Sequence, residues 1–260
     1  MKIPTYADSV KRQTKIITLI QAGVIIIDPD HIYIEDKVSV GSGTIIYPGV
    51  VIEGGTTIGR ECVIGPNNYI ADSRIADNCV IGTFCRIESS VINPQCKIED
   101  NAQIKRSFLG MRVKAKHFCY IGDARIGAEC NIGAGAVFCN YDGVHKNKTV
   151  LDKSVFVGSG SMLVAPLHVG KYAYIAAGSI VTKDVPEATP QTKNRGTLVI
   201  ARGQRDRTIL EALGVIGDIL QERSGIMTVS NLVEQFDTQI HKVGYVRVDK
   251  DGWHIEKPGT

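Results

Sequence analysis

Aliphatic residues recur at every sixth position through much of the chain, at Ile34, Val40, Ile46, Ile52, Ile58, Ile64 and Ile70. The series slips by one residue and resumes at Ile75, Ile81 and Ile87. It continues at Ile92, Ile98 and Ile104, at Leu109, Ala115 and Ile121, and at Ile126 and Ile132. After an interruption at 138–149 it returns at Leu151, Val157, Leu163, Val169, Ile175 and Val181. The fourth residue beyond each aliphatic is commonly small, as at Val38, Thr44, Val50, Thr56 and Cys62. An amphipathic helix needs a period of 3.6 and a two-sided strand a period of 2, so neither produces this pattern. A coil of short strands does, because one inward aliphatic per side stacks on its equivalent a turn later and builds a continuous core. About two dozen sides, three to a turn, predict roughly eight triangular turns of an all-β parallel β-helix.

The coil is expected over 31–185, preceded by an opening helix and lead-in over 1–30. Within the latter, ADSVKRQTKIITLIQA (7–22) reads as a helix with Val10, Ile16, Ile17 and Ile20 on a partly apolar face. An arm over 186–204 leads to an α+β appendage over 205–260. There, Ile209, Leu213, Ile216 and Leu220 form a helical stripe closed by Gly225. A second helix starts near Ser230 with Leu232, Val233, Phe236 and Ile240, and GYVRVDKDGWHIEK (244–257) reads as a hairpin turning at Asp251-Gly252. Helix, helix and hairpin suggest a winged-helix DNA reader. However, residues 203–260 carry seven Lys/Arg against nine Asp/Glu, which opposes a phosphate-binding face and favours a packing or oligomerisation role.

Composition narrows the function classes. The chain has 260 residues, 43% hydrophobic and 22% charged, and a formal net charge of +3, too small to argue for nucleic acid or membrane binding. The longest apolar run, IITLIQAGVIII (16–27), is short for a span and lacks a signal-peptide pattern, so a cytoplasmic protein is expected and the Asn147-Lys148-Thr149 sequon is read as chance. Seven cysteines include no CxxC pair. Cys62, Cys79, Cys85, Cys96, Cys119 and Cys130 all stand four residues after an aliphatic anchor, where a reduced thiol packs as a small hydrophobe. Cys139 is the exception and is expected to open the interrupting loop.

His117, in KAKHFCYIGDA (114–124), stands two residues beyond the inward Ala115 and should point outward. Histidine titrates near working pH and so suits a general base, although a solvated surface histidine fits the register equally. The hexapeptide repeat resembles the left-handed parallel β-helix acyltransferases, which assemble as trimers; the left-handed sense comes from that resemblance. Four segments sharpen it: GVIIIDPDHIYI (23–34), KAKHFCYIGDARIG (114–127), NIGAGAVFCNYDG (131–143) and LVAPLHVGKYAYIAAGSIVTKDVP (163–186). Over roughly 10–204 the chain resembles the C-terminal acetyltransferase domains of the bifunctional bacterial enzymes that make UDP-N-acetylglucosamine. No Gly-rich phosphate loop precedes residue 10, so the nucleotidyltransferase half is expected to be absent.

This resemblance implies acetyl transfer from acetyl-CoA to an amino-sugar 1-phosphate, glucosamine 1-phosphate first, by a homotrimer with no metal in the acetyltransferase site. It makes His117 the general base and the Ala134 N–H an oxyanion donor, a role suited to a preorganised amide. Lys105, Tyr120, Asn131 and Lys146 fall on acceptor-binding positions. Asn140 and Tyr141 fall at the junction of acceptor and acetyl-CoA, and Ser159, Ala177 and Arg202 on coenzyme A contacts, with 186–204 as the coenzyme A-side arm. Two positions depart from the family. Glu88 stands where an arginine grips the acceptor phosphate, with Arg86 two residues away, and a carboxylate would repel a phosphate. Gln103 stands where the family has a glutamate near the base. The alternatives are an acyltransferase for a different amine, a γ-type carbonic anhydrase and a non-catalytic trimeric scaffold. The carbonic anhydrase needs three zinc-binding histidines, and His117, His145 and His168 are off the spacing of successive coils.

Overall fold

A computed structural model describes residues 6–188, 198–199, 245–249 and 252–256. From Ile25 to Val181 the chain winds through 26 strands of two or three residues, which stack in parallel into three sheets. Nine coil strands lie on the first face, nine on the second and eight on the third. This is the left-handed parallel β-helix expected, about one turn longer than the repeat count suggested.

The aliphatic positions are the core. Ile46, Ile52, Ile64, Ile70, Ile87, Ile92, Ile104 and Ile121 are at most 1% exposed, and the fourth-residue slots are closed with them. Burying each such side chain stabilises by about 1.5–3 kcal/mol before chain entropy is counted. The six in-register cysteines are buried and free. Burial pushes the Cys119 and Cys130 thiols up to about 12, as inert packing residues. Polar residues that stand three after an anchor are also satisfied along the axis. Ser73 Oγ accepts from the Ser90 N–H at 3.1 Å, Ser90 Oγ from the Ser107 N–H at 3.1 Å, and Ser107 Oγ from the Ala124 N–H at 3.0 Å.

The single slip in the sequence recurs in successive coils as a shorter side between the second and third faces. The left-handed residue there comes two after the anchor, at Asp72, Ser89, Arg106 and Asp123; at the other corners it comes three after, as at Asn67, Asn78 and Asn101. The tight corner therefore stacks Arg106, Asp123 and Asn140 in one column.

Three details correct the sequence reading. The opening helix, Tyr6–Gln21, turns Ile16 and Leu19 to the end of the coil and leaves Val10, Ile17 and Ile20 exposed. Ile16 and Leu19, three residues apart, share the stripe that reaches the first turn. The interruption is also narrower than 138–149. Phe138 is fully buried as an inward anchor opposite Leu163, an aromatic standing in the aliphatic register. Cys139 ends that strand, Val137–Cys139, and the chain re-enters a strand at Thr149–Leu151.

Beyond the coil, Leu198–Val199 pairs in parallel with Tyr174–Ile175. Tyr245–Asp249 pairs antiparallel with Gly252–Glu256, and Val246 meets Leu198, so these strands continue the first face. The two helices expected between Ile209 and Ile240 lie outside the described residues. No described helix is long and apolar enough to cross a membrane.

Candidate functional site

The corner between the first and second faces aligns one residue from each successive coil. The Gly135 N–H donates to His117 O at 3.0 Å, Gly160 to Ala134 O at 2.8 Å and Gly178 to Ser159 O at 2.8 Å. His117, Ala134, Ser159 and Ala177 are thus neighbours along one edge, although separated by up to 60 residues in the chain. Among the described residues, this edge beyond His117 carries only Gly133-Ala134-Gly135, Gly158-Ser159-Gly160 and Ala176-Ala177-Gly178. Close coil approach demands the first glycine, since a Cβ at Gly133 would lie 2.5 Å from the Ser159 nitrogen. The N–H groups of Ala134, Ser159 and Ala177 donate to no described residue. The result is a smooth lane with free amide donors, flanked on the first face by the Phe156–Tyr174 ring stack at 4.6 Å.

His117 is half exposed, and its Nδ1 lies 3.1 Å from Glu99 Oε2. Glu99 also takes the Lys116 ammonium, which foremost holds its carboxyl below the usual range. Glu99 is absent from the residues singled out in the sequence. Gln103, which stands where the family has a glutamate near the base, lies on the second face beside Tyr120. The missed signal was the coil length: Glu99 precedes Lys116 by 17 residues, the same interval that separates Arg106 from Asp123.

A second cluster occupies the second face and its tight far corner. Tyr120 and Lys105 belong to adjacent strands. Asp123 receives Arg106 through two bonds of 2.6 and 2.7 Å and also accepts from the buried Asn140 amide. The Arg106 guanidinium above all holds the Asp123 carboxyl below its ordinary value, with Asn140 and Lys146 adding to the effect. Gly122 leaves the space that two side chains use: a Cβ there would be 2.6 Å from the Tyr120 hydroxyl oxygen and 2.7 Å from Asn140 Nδ2.

Asn140 starts an excursion that Asp142 folds, accepting from the Val144 and His145 N–H groups at 2.8 and 2.6 Å. Tyr141 is exposed and bridges to Lys146 across this loop. Glu88 accepts from Arg86 and Lys105, each at 2.8 Å, and these partners, Arg86 first, bring its carboxyl down to about 2. The residue read as repelling a phosphate thus already engages one of the expected acceptor cations.

Asn131 lies on the first face, between Lys114 and Phe156. Successive coils therefore distribute the expected residues over two faces and two corners; a side of about five residues separates the corners by roughly 15 Å. Arg202 lies outside the described residues. His168 pairs with Asp152 at 3.0 Å on the third face, away from His117. Among the described residues no three His, Cys, Asp or Glu side chains form a candidate metal-ligand set.

Repeat, stacking and corner geometry together define a hexapeptide-repeat left-handed β-helix. A family model described as the GMPPB C-terminal domain matches residues 25–126. Within that class the chain is similar to the Bifunctional protein GlmU of Heliobacterium modesticaldum, 42% identical over 182 residues, 64% of this chain and 40% of that protein. The Bifunctional protein GlmU of Carboxydothermus hydrogenoformans is 44% identical over 186 residues, 65% of this chain and 42% of that protein. The chain thus spans about two fifths of the length of these curated relatives. The crystal structure of Francisella novicida UDP-N-acetylglucosamine acyltransferase shares the fold, with a TM-score of 0.52 at 15% identity, covering 83% of this chain and 87% of that one. The resemblance read from the four sequence segments is borne out.

Proposed function

We propose that the protein is an acetyl-CoA-dependent N-acetyltransferase acting on an amino-sugar 1-phosphate, glucosamine 1-phosphate first, with His117 as general base. The observation that carries this reading is the single edge on which His117 precedes the small-residue lane of Ala134, Ser159 and Ala177. A slender thioester arm laid along that lane would bring its carbonyl toward His117 and within reach of the Ala134 N–H. His117 would take a proton from the sugar amine as nitrogen attacks the acetyl carbon; the free amide would stabilise the oxyanion. Coenzyme A then leaves as the thiol.

Lys105, Tyr120, Asn131, Asn140 and Lys146 would receive the acceptor. Because Asn131 and Lys105 stand on different faces, a pocket lined by both draws on more than one copy, which supports a homotrimer with sites between subunits. Tyr141 and Asn140 would then meet the thioester from the excursion loop.

Thiol release from acetyl-CoA, measured with glucosamine 1-phosphate and with glucosamine, tests the reading. Release with the phosphorylated sugar is expected; no release with any amino sugar overturns it. One observation favours a second reading, an amine acceptor without phosphate: Glu88 already occupies Lys105 and Arg86. Under that reading glucosamine is the better substrate, and Glu88→Arg shifts preference toward the phosphorylated sugar by tenfold or more.

A further inference from the structure

A histidine base needs one nitrogen fixed and the other free. In His117, Nδ1 meets Glu99 Oε2 at 3.1 Å, and no described residue bonds Nε2. Glu99 is well placed to fix the ring. Its N–H donates to Ala115 O at 2.8 Å, tying its backbone to the coil that carries the histidine. Its other carboxylate oxygen holds the Lys116 ammonium, so the side chain is pinned from two sides.

The remaining neighbours leave that role to Glu99. Asp100 precedes His117 in the same corner column, but its Oδ1 accepts from the Thr83 N–H at 2.8 Å and is turned to the preceding coil. The following coil offers Gly133, Ala134 and Gly135, none of which titrates. Lys114 belongs to the first face, aligned with Lys97 and Asn131. Phe118 meets the imidazole edge-on, with centroids 6.1 Å apart.

We propose that Glu99 is a positioning residue for the transfer: it orients His117 with Nδ1–H toward its carboxylate and Nε2 outward as the base, while Lys116 tempers the carboxylate. The role rests on the proposed His117 base. As the amine nitrogen bonds to the acetyl carbon and the C–S bond breaks, the amine proton passes to Nε2. The resulting imidazolium faces Glu99 until the proton passes to the departing thiolate, so atoms and charge balance without a further reactant.

The test is steady-state acetyl transfer by wild type, E99Q and E99D, with a thermal melt of each. E99Q is expected to cut kcat about tenfold or more with KM and melting temperature nearly unchanged, and E99D, which restores a carboxylate, recovers part of the lost kcat. Wild-type transfer with kcat unchanged in E99Q, or with E99Q and E99D equally impaired, overturns the role of Glu99 alone. A wild type that transfers no acetyl group overturns the proposed function, and the catalytic role of Glu99 with it.

Discussion

Gly122 is where a single missing atom does most for the candidate site. The atoms a Cβ would strike are at the ends of the Tyr120 and Asn140 side chains, not backbone, so the coil can survive the change while both groups are displaced. Gly122→Ala should therefore cost tenfold or more in kcat/KM with little change in melting temperature, as checked by the thiol assay beside thermal melting. Loss of folding instead would show that this position serves the coil. Asp123 carries more of the local structure, since it binds Arg106 twice and the buried Asn140. Asp123→Asn should lower unfolding free energy by about 1–3 kcal/mol, read from denaturant melts. The carboxyls also set an acid limit. Glu88 is held near 2 by Arg86 and Lys105, below its unfolded value of about 4.3. Its contribution is complete above the unfolded value and is lost as pH falls through the folded one. Melting temperature should thus drop from about pH 4 toward pH 2, and Glu88→Gln should flatten that part of the curve. At this scale His117 was legible because it lay off the inward register; Glu99 was not, because its partnership crosses coils and is visible only when residues 17 apart are paired.

Elements were legible wherever an aliphatic marked the inward position. The slip after Ile70 looked like an irregularity; it is the short side of each successive coil, and it stacks Arg106 on Asp123. Phe138 was missed because an aromatic filled an aliphatic place, which made the excursion seem to begin too soon. The helix face was misjudged for a related reason: Ile16, Ile17 and Ile20 are equally apolar, and only the position of the first turn decides which of them is covered. Coil anchors should behave as core. Ile104→Ala, at a side chain 1% exposed, is expected to cost about 2–5 kcal/mol in denaturant melts. The cysteine slots make a separate prediction. In the native protein a thiol reagent should label at most Cys139, the one half-buried cysteine, whereas all seven should react once the chain is unfolded. Rapid native labelling of several thiols would contradict the packing assigned to them.

For the whole molecule, the repeat specified the coil from Ile34 to Val181 but not its opening strand, Ile25–Ile26, and it could not specify how outward residues on different faces converge. The sequence places Asn131 fourteen residues from His117 and eleven from Tyr120, whereas the fold assigns it to a face that Tyr120 does not share. That separation is the reason for proposing a site between subunits, and light scattering should return three times the 28.2 kDa chain mass. The central claim is acetyl transfer with His117 as base. Its most direct test is thiol release from acetyl-CoA with glucosamine 1-phosphate by wild type and His117→Ala, with the trimer checked for both. Turnover is expected in the wild type, with a loss of about a hundredfold or more in an intact H117A trimer. Equal turnover by the two proteins would contradict it.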